Sequence, residues 1–170
     1  SAQCHQCGLG KYDSTPGDTR GCTNCPAGTI APSIGTAICQ ACPLGSYQTS
    51  PGMHACTKCQ PGYYDLSTVA KCTPCESGRF QPNSGASTCL TCPAGSFTGK
   101  SAATSCIACT AGRYSPSKQW GLPCNLCPPG KYQPLSNSSS CITCPAGKYA
   151  TQSGSTQCTA CVPGRYGEDP

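Results

Sequence analysis

Twenty cysteines fall into ten C-x-x-C pairs at a near-constant period, and this more than anything else limits what the chain can become. The pairs begin at Cys4, Cys22, Cys39, Cys56, Cys72, Cys89, Cys106, Cys124, Cys141 and Cys158, so the steps are 18, 17, 17, 16, 17, 17, 18, 17 and 17 residues. A glycine stands three residues after every second cysteine, from Gly10, Gly28 and Gly45 through to Gly164. Two residues further on comes a column of large side chains: Tyr12, Ile30, Tyr47, Tyr64, Phe80, Phe97, Tyr114, Tyr132, Tyr149 and Tyr166. Outside that column the aromatic residues are Tyr63 and Trp120, so the column is expected to supply the core. A second turn is expected at Gly35, Gly52, Gly85, Asn137 and Gly154, with Thr68 and Ala102 departing from it and loosening the turn there.

The segments between these marks are short and rich in Ser, Thr, Gly and Pro, which favours brief strands and turns over helix. The expected fold is small and disulfide-rich: an elongated tandem-repeat solenoid of β-hairpin-like units with little or no helix. Residues 1–170 read as one continuous array of ten repeats of about 17 residues, the last incomplete, with each repeat touching mainly its two neighbours.

Composition explains why covalent staples are needed. Hydrophobic residues make up 36% of the 170 residues with cysteine included, aromatics only 6%, so one large core is not available. An even number of cysteines at this density marks an oxidising, extracellular setting. No apolar run is long enough to span a bilayer, and the N-terminus has neither Met nor a signal-peptide pattern, so the chain reads as a mature segment of a longer one. A formal charge of +5 rests on 11 dispersed Lys and Arg, which argues against nucleic acid or membrane contact.

Equivalent repeats should pair their cysteines equivalently. Closure within C-x-x-C, second cysteine to the next first, and first cysteine to the next second all satisfy that condition. Ring closure pins few residues, while a bridge to the next repeat closes about 15 residues and is worth roughly 3 kcal/mol. The preferred rule joins second to next first, giving Cys7–Cys22, Cys25–Cys39, Cys42–Cys56, Cys59–Cys72, Cys75–Cys89, Cys92–Cys106, Cys109–Cys124, Cys127–Cys141 and Cys144–Cys158. Cys4 and Cys161 would then pair outside the segment. A two-repeat rule, with Cys4 to Cys22 and Cys7 to Cys25, stays open beside it.

The runs Cys92 to Phe97 (C-P-A-G-S-F), Cys127 to Tyr132 (C-P-P-G-K-Y) and Cys144 to Tyr149 (C-P-A-G-K-Y) resemble the ephrin-receptor-like cysteine-rich repeat. They are also similar to the small cysteine-loop module of tumour necrosis factor receptors, where such a cysteine bonds the next one downstream, which supports the preferred rule. The resemblance extends over all ten repeats, with Pro replaced after the second cysteine by Gly8, Gln60, Glu76, Thr110 and Val162. It implies a spacer or stalk in a large extracellular protein, and no kinase.

The expected function is therefore an extracellular structural rod, spacer or filament-forming segment of a surface or appendage protein, associating with like chains or other structural proteins. A ligand-binding receptor ectodomain is the alternative. A zinc array with four cysteines per ion is the minor one, since paired C-x-x-C motifs also suit zinc. No cofactor is expected, and His5 and His54 read as exposed polar residues rather than ligands. Catalysis is not expected: the six carboxylates and two histidines are scattered, and no βαβ scaffold activates a thiol.

Glycans are the expected covalent partners. Asn137-Ser138-Ser139 is an N-glycosylation sequon, and Thr15, Ser50 and Ser115, each followed by Pro, are O-linked candidates. Lys11, Arg79, Arg113, Lys131, Lys148 and Arg165 share one position between glycine and aromatic, where they would form a basic stripe or simply cover the neighbouring ring. Trp120 would cap an aromatic or mark a contact.

Overall fold

The computed structural model describes residues 4–15, 21–66, 71–116 and 121–164. Among them there is no helix, and the secondary structure consists of nine separate two-stranded antiparallel hairpins and one isolated parallel bridge between Phe80 and Ala103. The chain gathers into two compact units, one of Ser1–Cys75 with Gln81–Cys89 and one of Glu76–Phe80 with Leu90–Pro170.

In the first unit the hairpins pair Lys11–Tyr12 with Thr23–Asn24, Thr29–Ile30 with Gln40–Ala41, Ser46–Tyr47 with Thr57–Lys58, and Tyr63–Tyr64 with Thr73–Pro74. In the second they pair Arg79–Phe80 with Leu90–Thr91, Ser96–Phe97 with Ile107–Ala108, Arg113–Tyr114 with Asn125–Leu126, Lys131–Tyr132 with Ile142–Thr143, and Lys148–Tyr149 with Thr159–Ala160. One strand of every hairpin is thus the aromatic step of a repeat. The other is the x-x step inside the next C-x-x-C.

A tight turn opens each hairpin. In the repeat of Cys42, the Ser46 N–H donates to the Pro43 carbonyl at 3.1 Å across Gly45, whose φ of 78° is the positive value that the third position of a type II turn demands. The position after the second cysteine contributes only a carbonyl here. Gln60, Glu76 and Thr110 accept from Tyr63, Arg79 and Arg113 at 3.0, 3.0 and 3.1 Å, so losing Pro costs the turn nothing essential.

Backbone hydrogen bonds then tie each repeat to the next. In the first unit the N–H groups of Gly10, Gly28, Gly45 and Gly62 donate to the carbonyls of Ala31, Gln48, Asp65 and Gln81 at 2.7 to 3.0 Å. In the second, Gly78, Gly95, Gly112 and Gly130 donate to Thr98, Ser115, Gln133 and Ala150, all at 2.8 Å. The carbonyls of the same glycines accept from the second cysteine of the following repeat, as in Cys59 to Gly45 (2.9 Å) and Cys127 to Gly112 (2.9 Å).

Three expectations need correction. The aromatic column is not the core: Tyr47, Phe80, Phe97 and Tyr132 are only half-buried and Tyr149 is 42% exposed. The buried residues are instead the second cysteines, such as Cys25, Cys59, Cys75 and Cys127, and in eight repeats the side chain directly after the column residue: Ala31, Gln48, Asp65, Gln81, Thr98, Ser115, Gln133 and Ala150. A two-residue strand places its aromatic at the rim of a narrow sheet, while the chain's own sulfur fills the thin interior.

Secondly, contacts reach beyond the adjacent repeat. A Cβ built on Gly45 would lie 2.1 Å from the Gly85 carbonyl oxygen, and one on Gly112 would lie 2.1 Å from that of Gly154, in each case two repeats onward. Thirdly, Ala102 keeps the second turn, holding a φ of 54° without glycine. Thr68 and Trp120 lie outside the described residues.

Candidate functional site

Nine disulfides join Cys7–Cys22, Cys25–Cys39, Cys42–Cys56, Cys59–Cys72, Cys75–Cys89, Cys92–Cys106, Cys109–Cys124, Cys127–Cys141 and Cys144–Cys158. The reason lies in the C-x-x-C step itself. Its two middle residues are a strand, and side chains along extended backbone alternate sides, so cysteines three apart face opposite ways. Burial shows the alternation: Cys59 is 0% exposed while Cys56, at the other end of the same step, is only half-buried. The first cysteine therefore reaches back to the preceding repeat and the second reaches forward, and ring closure within the motif has no geometry available to it.

Each bridge closes a separation of 13 to 15 residues, which in the chain-entropy picture is worth about 3 kcal/mol. Cys4, exposed, and Cys161, half-buried, are free within the described residues. Cys161 nevertheless keeps the setting of the other second cysteines, its N–H donating to the Gly147 carbonyl at 2.8 Å.

The buried polar column is a second, non-covalent staple for which the sequence pattern raised no expectation. Gln48, Gln81 and Gln133 donate through Nε2 to the carbonyls of Ala55, Thr88 and Ser140 at 2.9, 2.7 and 2.8 Å, each the residue just before the next cysteine. Their Oε1 atoms accept from the N–H two residues on, at Ser50, Asn83 and Leu135. One amide thereby spans the loop from the aromatic to the disulfide. Among the described residues no buried side-chain polar atom lacks a partner, so this column costs little desolvation. The recurrence of Gln directly after Tyr47, Phe80 and Tyr132 is the signal that could have revealed it.

The expected modification sites fall differently. Asn137 is exposed and holds the second turn at a φ of 59°, its N–H donating to the Cys109 carbonyl at 2.8 Å, so the backbone is fixed while the side chain faces outward. Thr15 and Ser50 are exposed as well, with N–H groups donating to Asp13 Oδ1 (2.9 Å) and Gln48 Oε1 (3.1 Å). Ser115 departs from expectation. At 1% exposure it belongs to the buried column, and a hydroxyl so enclosed cannot accept a sugar.

On the surface, Lys11, Arg113, Lys131 and Lys148 are exposed and Arg79 half-buried; Arg165 lies outside the described residues. Arg113 Nη1 donates to the Cys124 carbonyl at 3.0 Å, so this member of the basic column braces its own hairpin. His5 and His54 are exposed. Among the described residues no three of His, Cys, Asp and Glu converge as a metal site, and no helix is long and apolar enough to cross a membrane.

The aromatic column differs between the units. In the first its cross-strand partners are polar: Thr23, Gln40, Thr57 and Thr73. In the second, Phe80, Phe97 and Tyr132 face Leu90, Ile107 and Ile142, which remain 48%, 57% and 46% exposed.

Comparison with protein families finds the model described as tyrosine-protein kinase ephrin type A/B receptor-like at residues 62–109, 112–161 and 130–170, more than half of the chain. No curated protein matches the chain. The matched model is a receptor ectodomain-type repeat and not a catalytic family. Nine disulfides require an oxidising compartment, and with the family they make this an extracellular or secreted, receptor-type module. Repeat period, hairpin units, disulfides and family match agree: the chain belongs to the ephrin-receptor-like cysteine-rich repeat family.

Proposed function

We propose that the chain is a structural spacer or filament-forming segment of a larger surface or appendage protein, carrying glycan at Asn137 and at exposed residues such as Thr15 and Ser50. The observation that carries this reading is the double linkage of successive repeats: a disulfide and at least two backbone hydrogen bonds join each repeat to the next within either unit. Such linkage resists pulling and bending, since separating two repeats requires breaking covalent and hydrogen bonds together. Cys4 and Cys161 continue the same linkage to residues outside the segment, and like chains or other extracellular structural proteins are its partners.

The test is assembly of the oxidised chain, followed by sedimentation and electron microscopy. Homotypic assemblies support the reading, and capture of a soluble partner at fixed stoichiometry by a strictly monomeric chain overturns it. That second result would favour a ligand-binding ectodomain, a reading supported by the exposed Leu90, Ile107 and Ile142 beside the aromatic column.

A further inference from the structure

The repeat that begins at Cys56 breaks the pattern twice, and both departures meet at one cavity. It is the shortest repeat, its bridge from Cys59 to Cys72 spanning 13 residues where the others span 14 or 15. Like four other repeats it lacks Pro after the second cysteine, and it carries Gln60 there. It also places Tyr63 where every other repeat carries Lys, Arg, Thr or Ser. Gln60, Tyr63 and the bridge residue Cys72 line a pocket of about 290 Å³ with Tyr47 and Lys71, all within the first unit.

The hairpin does not need these residues. Sister hairpins form with Ser46 or Ser96 in the position of Tyr63, and the turn uses only the Gln60 carbonyl. The side chains are therefore available for other work. Among the described residues, no hydrogen bond engages the Tyr47 or Tyr63 hydroxyl, the Gln60 amide or the Lys71 ammonium.

We propose that this pocket binds an acidic sugar residue. Both tyrosines are half-buried and line the cavity, so their rings can supply apolar surface to a ligand there and their hydroxyls a polar tip. A pyranose presents the matching pair of surfaces, an apolar C–H face to stack on a ring and a hydroxyl edge for hydrogen bonds. Gln60 supplies both donors and an acceptor for that edge. Lys71 supplies a compact positive charge for a carboxylate or sulfate. No carboxylate lines the cavity, and Asp65, on the same repeat, is 3% exposed and faces the interior, so the charge at the mouth is not cancelled there. The volume suits a ring rather than a folded partner, and binding would occur along a carbohydrate chain threading past the mouth.

The whole oxidised chain, with tyrosine rings labelled for NMR, is titrated with a hyaluronan tetrasaccharide, a chondroitin sulfate tetrasaccharide and uncharged chitotetraose. Ring signals of Tyr47 and Tyr63 shift, and at least one acidic probe binds about tenfold more tightly than the neutral one; equal binding of both identifies the carboxylate they share, and preference for chondroitin sulfate identifies sulfate. Tyr63→Ser, which installs the residue of sister repeats, weakens that binding about tenfold while leaving the other hairpins' spectra unchanged. Lys71→Gln brings the acidic and neutral probes to the same affinity. A Lys131→Gln, Lys148→Gln double variant, outside the pocket, binds as the parent does. Absence of binding, equal affinity for the neutral probe in the parent, or loss in the double variant with none in Tyr63→Ser overturns the proposal.

Discussion

Two glycines with the same backbone separate conformational freedom from close packing. Gly112 and Gly147 both have a φ of 77°, yet a Cβ on Gly112 would sit 2.1 Å from the Gly154 carbonyl oxygen whereas one on Gly147 meets nothing within 4 Å. Alanine at Gly147 incurs only the left-handed penalty, about 1–2 kcal/mol. Alanine at Gly112 incurs that penalty and must also displace backbone, which adds about 1–3 kcal/mol. Gly8→Ala, with open space and an ordinary φ, should cost almost nothing. Because a repeat array need not unfold as one cooperative unit, the assay is native-state hydrogen exchange. For Gly112→Ala the reporters are the amides of Asn137, Cys127 and Gly154, bonded at 2.8, 2.9 and 2.8 Å; for Gly147→Ala the reporter is Cys161 at 2.8 Å. Exchange in the first variant should accelerate by roughly five- to hundredfold more than in the second. Equal acceleration would refute the reasoning, since contact with the second neighbour would then carry no weight.

Replacing Cys59 and Cys72 together with Ser should cost about 3 kcal/mol, read as faster exchange at Cys75 and Gly85, with Cys144 in the other unit unchanged; uniform acceleration would contradict linkage by nearest repeats. Gln133→Ala removes the bonds to Ser140 and from Leu135 and should destabilise its loop by about 1–2 kcal/mol, measured by exchange at Leu135 and Cys144; an unaltered rate would mean that the latch is ornamental. Ser139→Ala deletes the sequon without disturbing the Asn137 turn, so the intact mass of chain secreted from eukaryotic cells should fall by one N-glycan beyond the loss of oxygen. Identical glycan content would exclude Asn137 as the acceptor.

The features legible in the sequence obey local rules. Gly45 and Gly112 announce a turn because their backbone needs positive φ, and the 17-residue step announces a repeat because equivalent turns recur. Short polar segments between them leave room only for hairpins. The interior was not legible, because hydropathy assigns Gln, Thr and Ser to the surface while here Gln48, Thr98 and Ser115 lie inside. In a layer two residues wide, enclosure depends on where the loop folds back, and a side chain that bonds the loop's own carbonyl is enclosed whatever its polarity. Ser115 shows the consequence: its Pro neighbour suggested an exposed glycan acceptor, but its place after Tyr114 decided its burial. The approach of Gly45 to Gly85 was hidden for a different reason, since a period fixes the spacing of repeats along the chain but not how far the chain turns per step.

The same division explains how an irregular repeat can carry a binding site without endangering the fold. Linkage between repeats runs through backbone groups and sulfur, as where Gly62 N–H meets the Gln81 carbonyl at 2.7 Å and Cys59 meets Cys72. Among the described residues the Gln60 and Tyr63 side chains take no part in that linkage, although Ser77 Oγ and Arg113 Nη1 add to it elsewhere by donating to the Gly99 and Cys124 carbonyls of the next repeat. Gln60 can therefore replace Pro, and Tyr63 can stand where Ser46 and Ser96 stand, at no cost to the hydrogen bonds that join the repeats. A fold stabilised this way leaves two positions per repeat open to chemical variation. The repeat of Cys56 is where the described chain puts both to use on one cavity.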